Sequence, residues 1–453
     1  MNDNIQRLEE ELTALNAAPD ADQYRQLDLL NELVRAYRHF DPQRALTLAQ
    51  MAHDLATTVD YAQGRLACLV NLTVHHTHIS PDFEIALGWA NRALDLLASN
   101  PDASAHAYVL QCMGSVYRHL GDYATAHDYL MQALTLAGAA NDLAMQGLVY
   151  NDLGVLYRYT QDYEQSFHAY QQGRALAETT GNQHRVALAL NNLGDLLHIW
   201  GRTDEAIAHL EEAIALTQRL AIKILKPSVL DSLSEIHLEQ GNYAAALACL
   251  QRAKAISEEF DNQFEMAALL RNIARVYQHQ GAWNQALAYL HQALTVAESI
   301  KLKQEIFTCH ELLAEIYETL DQPLPALRHY KQFHAIKEEV FNEEAAQKSK
   351  TLQVIHETAA AKREAEIYRL RNVELQAALE QVKQLSGLLP ICGSCKKIRD
   401  DSGYWHEVEL YIRAHSEADF SHGICPDCMA TLYPHYYKKT TAGRTAVGPS
   451  GEN

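Results

Sequence analysis

Small, aromatic and apolar residues return along most of this chain at an interval of 40 residues. Stepping from Gly154 reaches Gly114 and Gly194, then Ser234, Ala274 and Ala314; from Tyr157 it reaches Tyr117, Leu197, His237, Tyr277 and Tyr317. From Ser166 the step passes through Ala86, Ala126, Ala206, Ala246, Ala286 and Ala326. A turn position reads Gly121, Gln161, Gly201, Gly241, Gly281 and Asp321. Within one period Tyr150, Leu153, Gly154 and Tyr157 share one face of a first helix ending near Tyr159, and Tyr163, Ser166, Phe167, Tyr170 and Gly173 begin a second. Gly154 and Ser166 stand where a larger side chain would push the two helices apart. A strict period of this length predicts a solenoid, each unit burying its apolar face against its neighbours.

The layout LGxxY, turn, YxxAxxxY and a small residue resembles the tetratricopeptide repeat (TPR) family. The resemblance covers residues 27–337, about eight units on the period rule, with 1–26 as an N-terminal helix or cap. It implies an all-α TPR superhelical solenoid. The units run 40 residues where about 34 is commoner; the excess, in stretches such as AGAANDLAMQG and AETTGNQHR, lengthens either the helices or their connecting loops. The first two units are weak: Ala45 is one residue out of step, and NLTVHHTHISPDF has no Gly at its turn, as suits terminal repeats that cap a stack. His75, His76 and His78 fall on a helix end and turn with no nearby Cys, and read as solvated turn residues rather than ligands. In TPR arrays the first helices line the concave wall. The resemblance places Asn151, Arg158, Asn191, His198, Arg271 and Gln278 there, with Gln111 and Arg118 from the preceding unit. Asn and Gln suit an extended peptide backbone, and Arg suits carboxylates, so a protein or peptide ligand is implied.

Near Glu338 the character changes. From there to Gly387 the chain contains neither Gly nor Pro and is rich in Glu, Lys, Ala and Leu, which predicts a long helical linker over 338–386. A heptad fits Tyr368 at d, Asn372 at a, Leu375 at d, Leu379 at a and Val382 at d. Asn at a core a position fixes register and a parallel two-stranded state, so a short coiled coil and a parallel homodimer are expected. Upstream the seam is poor (Thr358, Ala361, Ala365), and the alternative is a single amphipathic helix folded back on the repeats.

Two CxxC pairs follow, Cys392/Cys395 and Cys425/Cys428, within a four-cysteine module spanning 387–437. Two such turns complete a tetrahedral thiolate set, and a segment this short has little core of its own, so structural zinc is the expected cofactor. The intervening stretch is long enough for a helix with Trp405, Val408, Ile412 and His415 on one face. His415 or His422 could replace a thiolate, and Glu407 or Asp427 could serve an open catalytic zinc, though nothing specifies either. A redox dithiol pair or an iron–sulfur cluster is the competing reading. The run LLPIC, CKKIRDD, GYW and SHGICPDC is similar to a C-terminal module that recurs in bacterial sensory proteins, often after response-regulator, PAS or GAF domains. The linker is similar to those joining TPR arrays to histidine kinase or diguanylate cyclase domains. Residues 438–453 read as a disordered tail.

Composition narrows the function. Net charge is −19, from 57 acidic and 38 basic residues, almost all of it on the repeats, which makes nucleic acid an unlikely partner for the array. The N-terminus has no apolar h-region and no run of about 18 apolar residues occurs, so neither a secretory signal nor a membrane span is expected. The other four cysteines, Cys68, Cys112, Cys249 and Cys309, are scattered singly through the repeats as small buried hydrophobes, and a cytoplasmic location is expected. No Walker loop, GxGxxG or GxSxG occurs, and the His-Glu pairs at His310, His356 and His406 lack the second His of a zincin helix. The expectation is a non-enzymatic adaptor or sensor in bacterial signal transduction. The alternative is a transcriptional or redox regulator acting through the zinc module.

Overall fold

The computed structural model describes residues 2–17, 22–38, 41–220, 225–260, 262–385, 390–400, 402–415 and 419–434, with backbone alone for 2, 3 and 380–385. It forms two compact units, Met1–His356 and Glu357–Asn453.

In the first unit, α1 (Asn2–Asn16) precedes helix pairs that alternate first and second helices. The pairs are α2 (Gln23–Tyr37) with α3 (Pro42–Thr58), α4 (Ala62–Val74) with α5 (Phe83–Ser99), α6 (Ala103–Leu120) with α7 (Tyr123–Ala139), and α8 (Leu143–Tyr159) with α9 (Tyr163–Thr179). They continue with α10 (Gln183–Ile199) and α11 (Thr203–Arg219), α12 (Lys226–Glu239) and α13 (Tyr243–Glu259), α14 (Gln263–His279) and α15 (Trp283–Ser299), and α16 (Lys303–Thr319) with α17 (Pro323–Leu385).

The turns explain the period. Gly121, Gln161, Gly201, Gly241, Gly281 and Asp321 all take φ between 55° and 82°, and Asn141, Gly181 and Lys301 take φ between 52° and 69° between units. The following residue then caps the next helix: Asp122, Asp142 and Asp162 accept from the amides of Thr125, Met145 and Gln165 at 3.1, 2.9 and 3.1 Å. Each of α7 to α11 runs 17 residues. The extra length of the repeat therefore lies in the helices and not in the loops.

The small positions are contact points. A Cβ on Gly154 would stand 2.5 Å from the Tyr170 ring, and on Gly194 2.5 Å from Leu210. Ser166 is fully buried and donates its hydroxyl to the Gly154 carbonyl at 2.7 Å, tying α8 to α9 where they are closest. First helices of successive pairs pack on one another more than second helices do, so the array curves with first helices inside.

Two expectations change here. The turn of the second pair is a π-helical segment, His75–Ile79, in which His75 and Thr77 are buried and His76 is half-buried; His78 is the most exposed of the three histidines, yet its Nε2 lies 3.2 Å from Gln111 Nε2. The linker helix also begins differently. α17 leaves the last pair without a break, and its stretch up to His356 belongs to the repeat unit. There Thr351 is fully buried, Ile355 packs against the core of the second to fourth pairs, and Lys350 meets Glu84 at 2.6 Å. This stretch is folded back on the repeats, the alternative to a coiled coil.

The second unit contains the rest of α17, an antiparallel strand pair β1 (Ile398–Arg399) and β2 (Trp405–His406), then α18 (Val408–His415) and α19 (Pro426–Leu432). Trp405 thus lies in a strand, not on the helix face expected for it. The expected tail, 438–453, lies outside the described residues.

Candidate functional site

The first-helix face carries a ladder of polar side chains bonded from one unit to the next. Asn71 donates to Asn31 at 3.0 Å, Asn192 to Asn151 at 2.8 Å, and Asn272 to Asp231 at 2.7 Å; Gln111 bonds Asp152. Arg275 pairs with Glu235 at 2.9 Å and Arg271 with Glu305 at 2.8 Å. Each pair joins residues near one repeat apart, so the ladder staples neighbouring units while remaining polar. Burial pushes Asp231 up to about 6 and, with Asp231 nearby, Glu265 up to about 7.

The predicted groove residues therefore divide. Gln111 and Asn191 are buried, the former bonded to Asp152 and the latter donating to Asp195 at 3.3 Å. Arg271 is held by Glu305 and Asn272, and His198 lies 3.4 Å from Glu239. Asn151 accepts from Asn192, and Gln278 is half-buried. Arg118 and Arg158 behave otherwise: their guanidinium carbons sit 5.4 and 5.9 Å from the centre of the Tyr159 ring, which is 52% exposed. Among the described residues neither has a carboxylate partner; Arg118 instead reaches His119 Nε2 at 3.0 Å. Two half-buried cations stacked on one exposed ring are the least satisfied charges of the predicted set.

In the second unit the cysteines fall on two separate turns. Cys392 accepts Lys396 N at its carbonyl (3.0 Å) and donates its amide to Lys397 O (2.8 Å), closing a tight turn with Lys396 at φ 64°. Backbone amides of Cys395 and Ser394 directed at the sulfur hold the Cys392 thiol below its ordinary range. Cys425 caps α19, its sulfur accepting from Cys428 N at 3.5 Å, and its thiol is lowered by that amide. Both turns suit a thiolate, yet among the described residues no group of three or more His, Cys, Asp or Glu side chains converges on one point. His415 is engaged with Tyr411, stacking at 4.1 Å and approaching its carbonyl at 2.7 Å. Lys397 meets Glu407 at 3.2 Å and Arg399 lies over Trp405, so the short basic run is largely occupied. The four repeat cysteines are buried as expected, and burial pushes the thiols of Cys68, Cys112 and Cys309 up to about 12. On the expected seam, Tyr368, Asn372, Leu375 and Leu379 are all exposed; the side chain of Val382 lies outside the described residues.

The family model of the MalT-like TPR region matches residues 78–384. The chain belongs to the MalT-like TPR region family. Among solved structures, a STAND signal-transduction ATPase with a tetratricopeptide repeat sensor from Pyrococcus horikoshii is 13% identical, with TM-score 0.55, covering 75% of this chain and 54% of that one. A Rap protein complexed with competence and sporulation factor is 15% identical, TM-score 0.48, covering 75% and 99%. Aspartyl phosphate phosphatase F from Bacillus subtilis is 13% identical, TM-score 0.49, covering 74% and 93%. Comparison with curated proteins finds no match. No helix among the described residues is long and apolar enough to cross a membrane.

In this MalT-like TPR region several ladder members escaped the sequence reading: Asn31, Asn71, Asp152, Asp231, Glu235 and Arg275. Their signal was present. The step that leads through Gln111, Asn151, Asn191 and Arg271 also passes through Asn31, Asn71 and Asp231.

Proposed function

We propose that this MalT-like TPR chain is a non-enzymatic adaptor or sensor in bacterial signal transduction, binding a peptide or protein segment along its first-helix face. The observation that carries the reading is the stack of Arg118 and Arg158 on Tyr159, two unpaired cations in a chain of net charge −19. Guanidiniums on adjacent units suit the carboxylates of an extended ligand, and the ring adds apolar contact. The ladder around them holds the units in register, so the face is preorganised rather than assembled on binding. Cytoplasmic residence fits eight free thiols. In the second unit the four cysteines take zinc, and the helix beyond His356 dimerises. Glu407 and Trp405 already engage Lys397 and Arg399, which favours the adaptor over a DNA-contacting regulator.

Affinity capture with the full chain tests the reading. The partner recovered by the parent is expected to be lost on combining Arg118→Glu with Arg158→Glu, with circular dichroism unchanged. Recovery of the same partner by the double variant would mean that ligand binds elsewhere.

A further inference from the structure

The last helix pair departs from the pattern of those before it. The 40-residue step that runs through Leu190, Leu230 and Leu270, all buried, arrives at His310 on α16, which is only 7% exposed. Its Nδ1 lies 2.9 Å from Nδ1 of His329 on α17. A third ring, His291 on α15, has its centre 6.1 Å from that of His329. Three successive helices thus bring three imidazoles together beside a position that earlier pairs fill with leucine.

Packing alone does not call for these rings, since a leucine at 310 would need no polar partner. Two neutral imidazoles facing through Nδ1 share one proton in an N–H···N contact. Burial, reinforced by His310, His291 and Arg328, pushes His329 down to about 4, and burial lowers His310 against the pull of Glu298. Both rings are therefore neutral near physiological pH and each can offer a lone pair. With each nitrogen about 2.0–2.1 Å from an ion, donors 2.9 Å apart subtend about 90° at it, and widening by about half an ångström gives the tetrahedral angle. Tyr317 steadies the group from outside. Its ring stacks on His329 at 5.5 Å and its hydroxyl meets His291 Nε2 at 3.3 Å, the kind of outer contact that orients ligating histidines.

We infer that His310 and His329 form the core of a binding site for a divalent transition cation of the imidazole-preferring class (zinc, nickel or copper), with His291 as third ligand and water beyond it. Among the described residues two nitrogens, not three, already converge. His291 completes the set by turning away from Tyr317, which its exposed position allows. On binding, the proton shared by the two Nδ1 atoms moves to Nε2 of the ring that carried it, so both Nδ1 lone pairs face the ion. Imidazoles rather than carboxylates surround the site, which disfavours hard, oxygen-seeking cations such as magnesium and calcium. The ion would bridge α15, α16 and the base of α17, pinning the helix that continues into the second unit. The site is independent of the peptide-binding reading above.

The test uses the full chain carrying Cys392→Ser and Cys428→Ser, which takes the paired thiolates out of competition. Zinc and nickel chlorides are the probes, read by isothermal titration calorimetry at neutral pH and by melting temperature. About one ion per chain is expected, with a rise in melting temperature on binding. Adding His310→Leu with His329→Tyr installs the leucine of the earlier pairs and the ring found at Tyr289, which stacks on Tyr277. That variant is expected to bind at least about tenfold more weakly and to lose the rise, while melting without metal at or above the temperature of its background. His291→Gln, the residue found one step earlier at Gln251, is expected to weaken binding by less. The chain has 23 histidines, so surface binding is the rival: undiminished binding in the His310→Leu, His329→Tyr variant assigns the ion to the surface and overturns the inference. Absence of binding before those changes overturns it too, and displacement of zinc by magnesium or calcium overturns the ion class. Full affinity in His291→Gln removes that residue from the ligand set. Where the double change prevents folding, His329→Tyr alone decides by the same two readings.

Discussion

Gly154 faces a ring where its period mates face an aliphatic side chain. Gly194 faces Leu210, and the 40-residue step sets Leu250 against Ser234 and Leu290 against Ala274; opposite Gly154 stands Tyr170, 2% exposed. At the equivalent positions Ser234 and Ala274 carry a Cβ with a leucine as the counterpart, a side chain that can rotate aside. A tyrosine held in a packed core cannot yield as easily, and the 2.5 Å approach of an added Cβ would force it off its rotamer or spread α8 from α9. Gly154→Ala is expected to cost about 1–3 kcal/mol, seen as a lower denaturation midpoint. Combining it with Tyr170→Leu gives the Ala and Leu combination found in the seventh pair, so the double variant is expected to lose less than the two single losses combined. Strictly additive losses would show that the glycine answers to something other than the ring.

At the scale of elements, the helix pairs were legible because one step of 40 residues carries the small contact, the aromatic, the left-handed turn and the cap together. The π-helical turn was not. NLTVHHTHISPDF lacks the turn glycine, and its outcome is decided by which of three histidines finds room in the core, a tertiary choice with no local signature. The half of α17 that returns to the repeats was legible only as an alternative, for a related reason. A helix free of Gly and Pro reads the same whether it docks or dangles, and here the docking rests on few residues, chiefly Thr351 and Ile355, four apart. The polar ladder was legible in half: the step reaches it, but which rungs bond one another depends on curvature. The docked stretch makes its own prediction. The exposed Lys350–Glu84 pair is worth little, about 0–1 kcal/mol; the buried methyl and hydroxyl of Thr351 matter more. Thr351→Arg places a charge where none can be hydrated, and is expected to release the stretch while the array stays folded. Trypsin would then cut at Lys348 and Lys350 markedly faster than in the parent, with the helical signal preserved. Unchanged cleavage would show that the contact is incidental.

At the scale of the whole molecule, a packed repeat array is followed by a second unit whose described residues are almost all surface: Ile398 is buried, whereas α18 and α19 bury no residue. A segment so poor in core gains stability from outside itself, through metal or through a second copy. For metal, two thiolate-adapted turns expect about one zinc per chain, with folding and binding coupled; elemental analysis should show it, and Cys392→Ser with Cys428→Ser should abolish it, while a metal-free parent would end the zinc reading. For the second copy, the helix beyond His356 exposes Tyr368, Leu375 and Leu379 along the seam, at 69%, 59% and 52%. Ile367, Leu370 and Val373 are exposed as well, off that seam, so the apolar surface is wider than two strands would cover. Asn372 then decides the outcome: paired with its own copy it is satisfied in a parallel dimer, and in other registers or higher assemblies it faces an apolar neighbour. Sedimentation equilibrium is therefore expected to give twice the 50.9 kDa chain mass, falling to one chain on Leu375→Glu with Leu379→Glu. Asn372→Leu, which removes the register device and extends the apolar surface, is expected to give a more stable but mixed population including species larger than a dimer. A parent that sediments at the chain mass would return this helix to the role of a tether, leaving its apolar stripe for another protein.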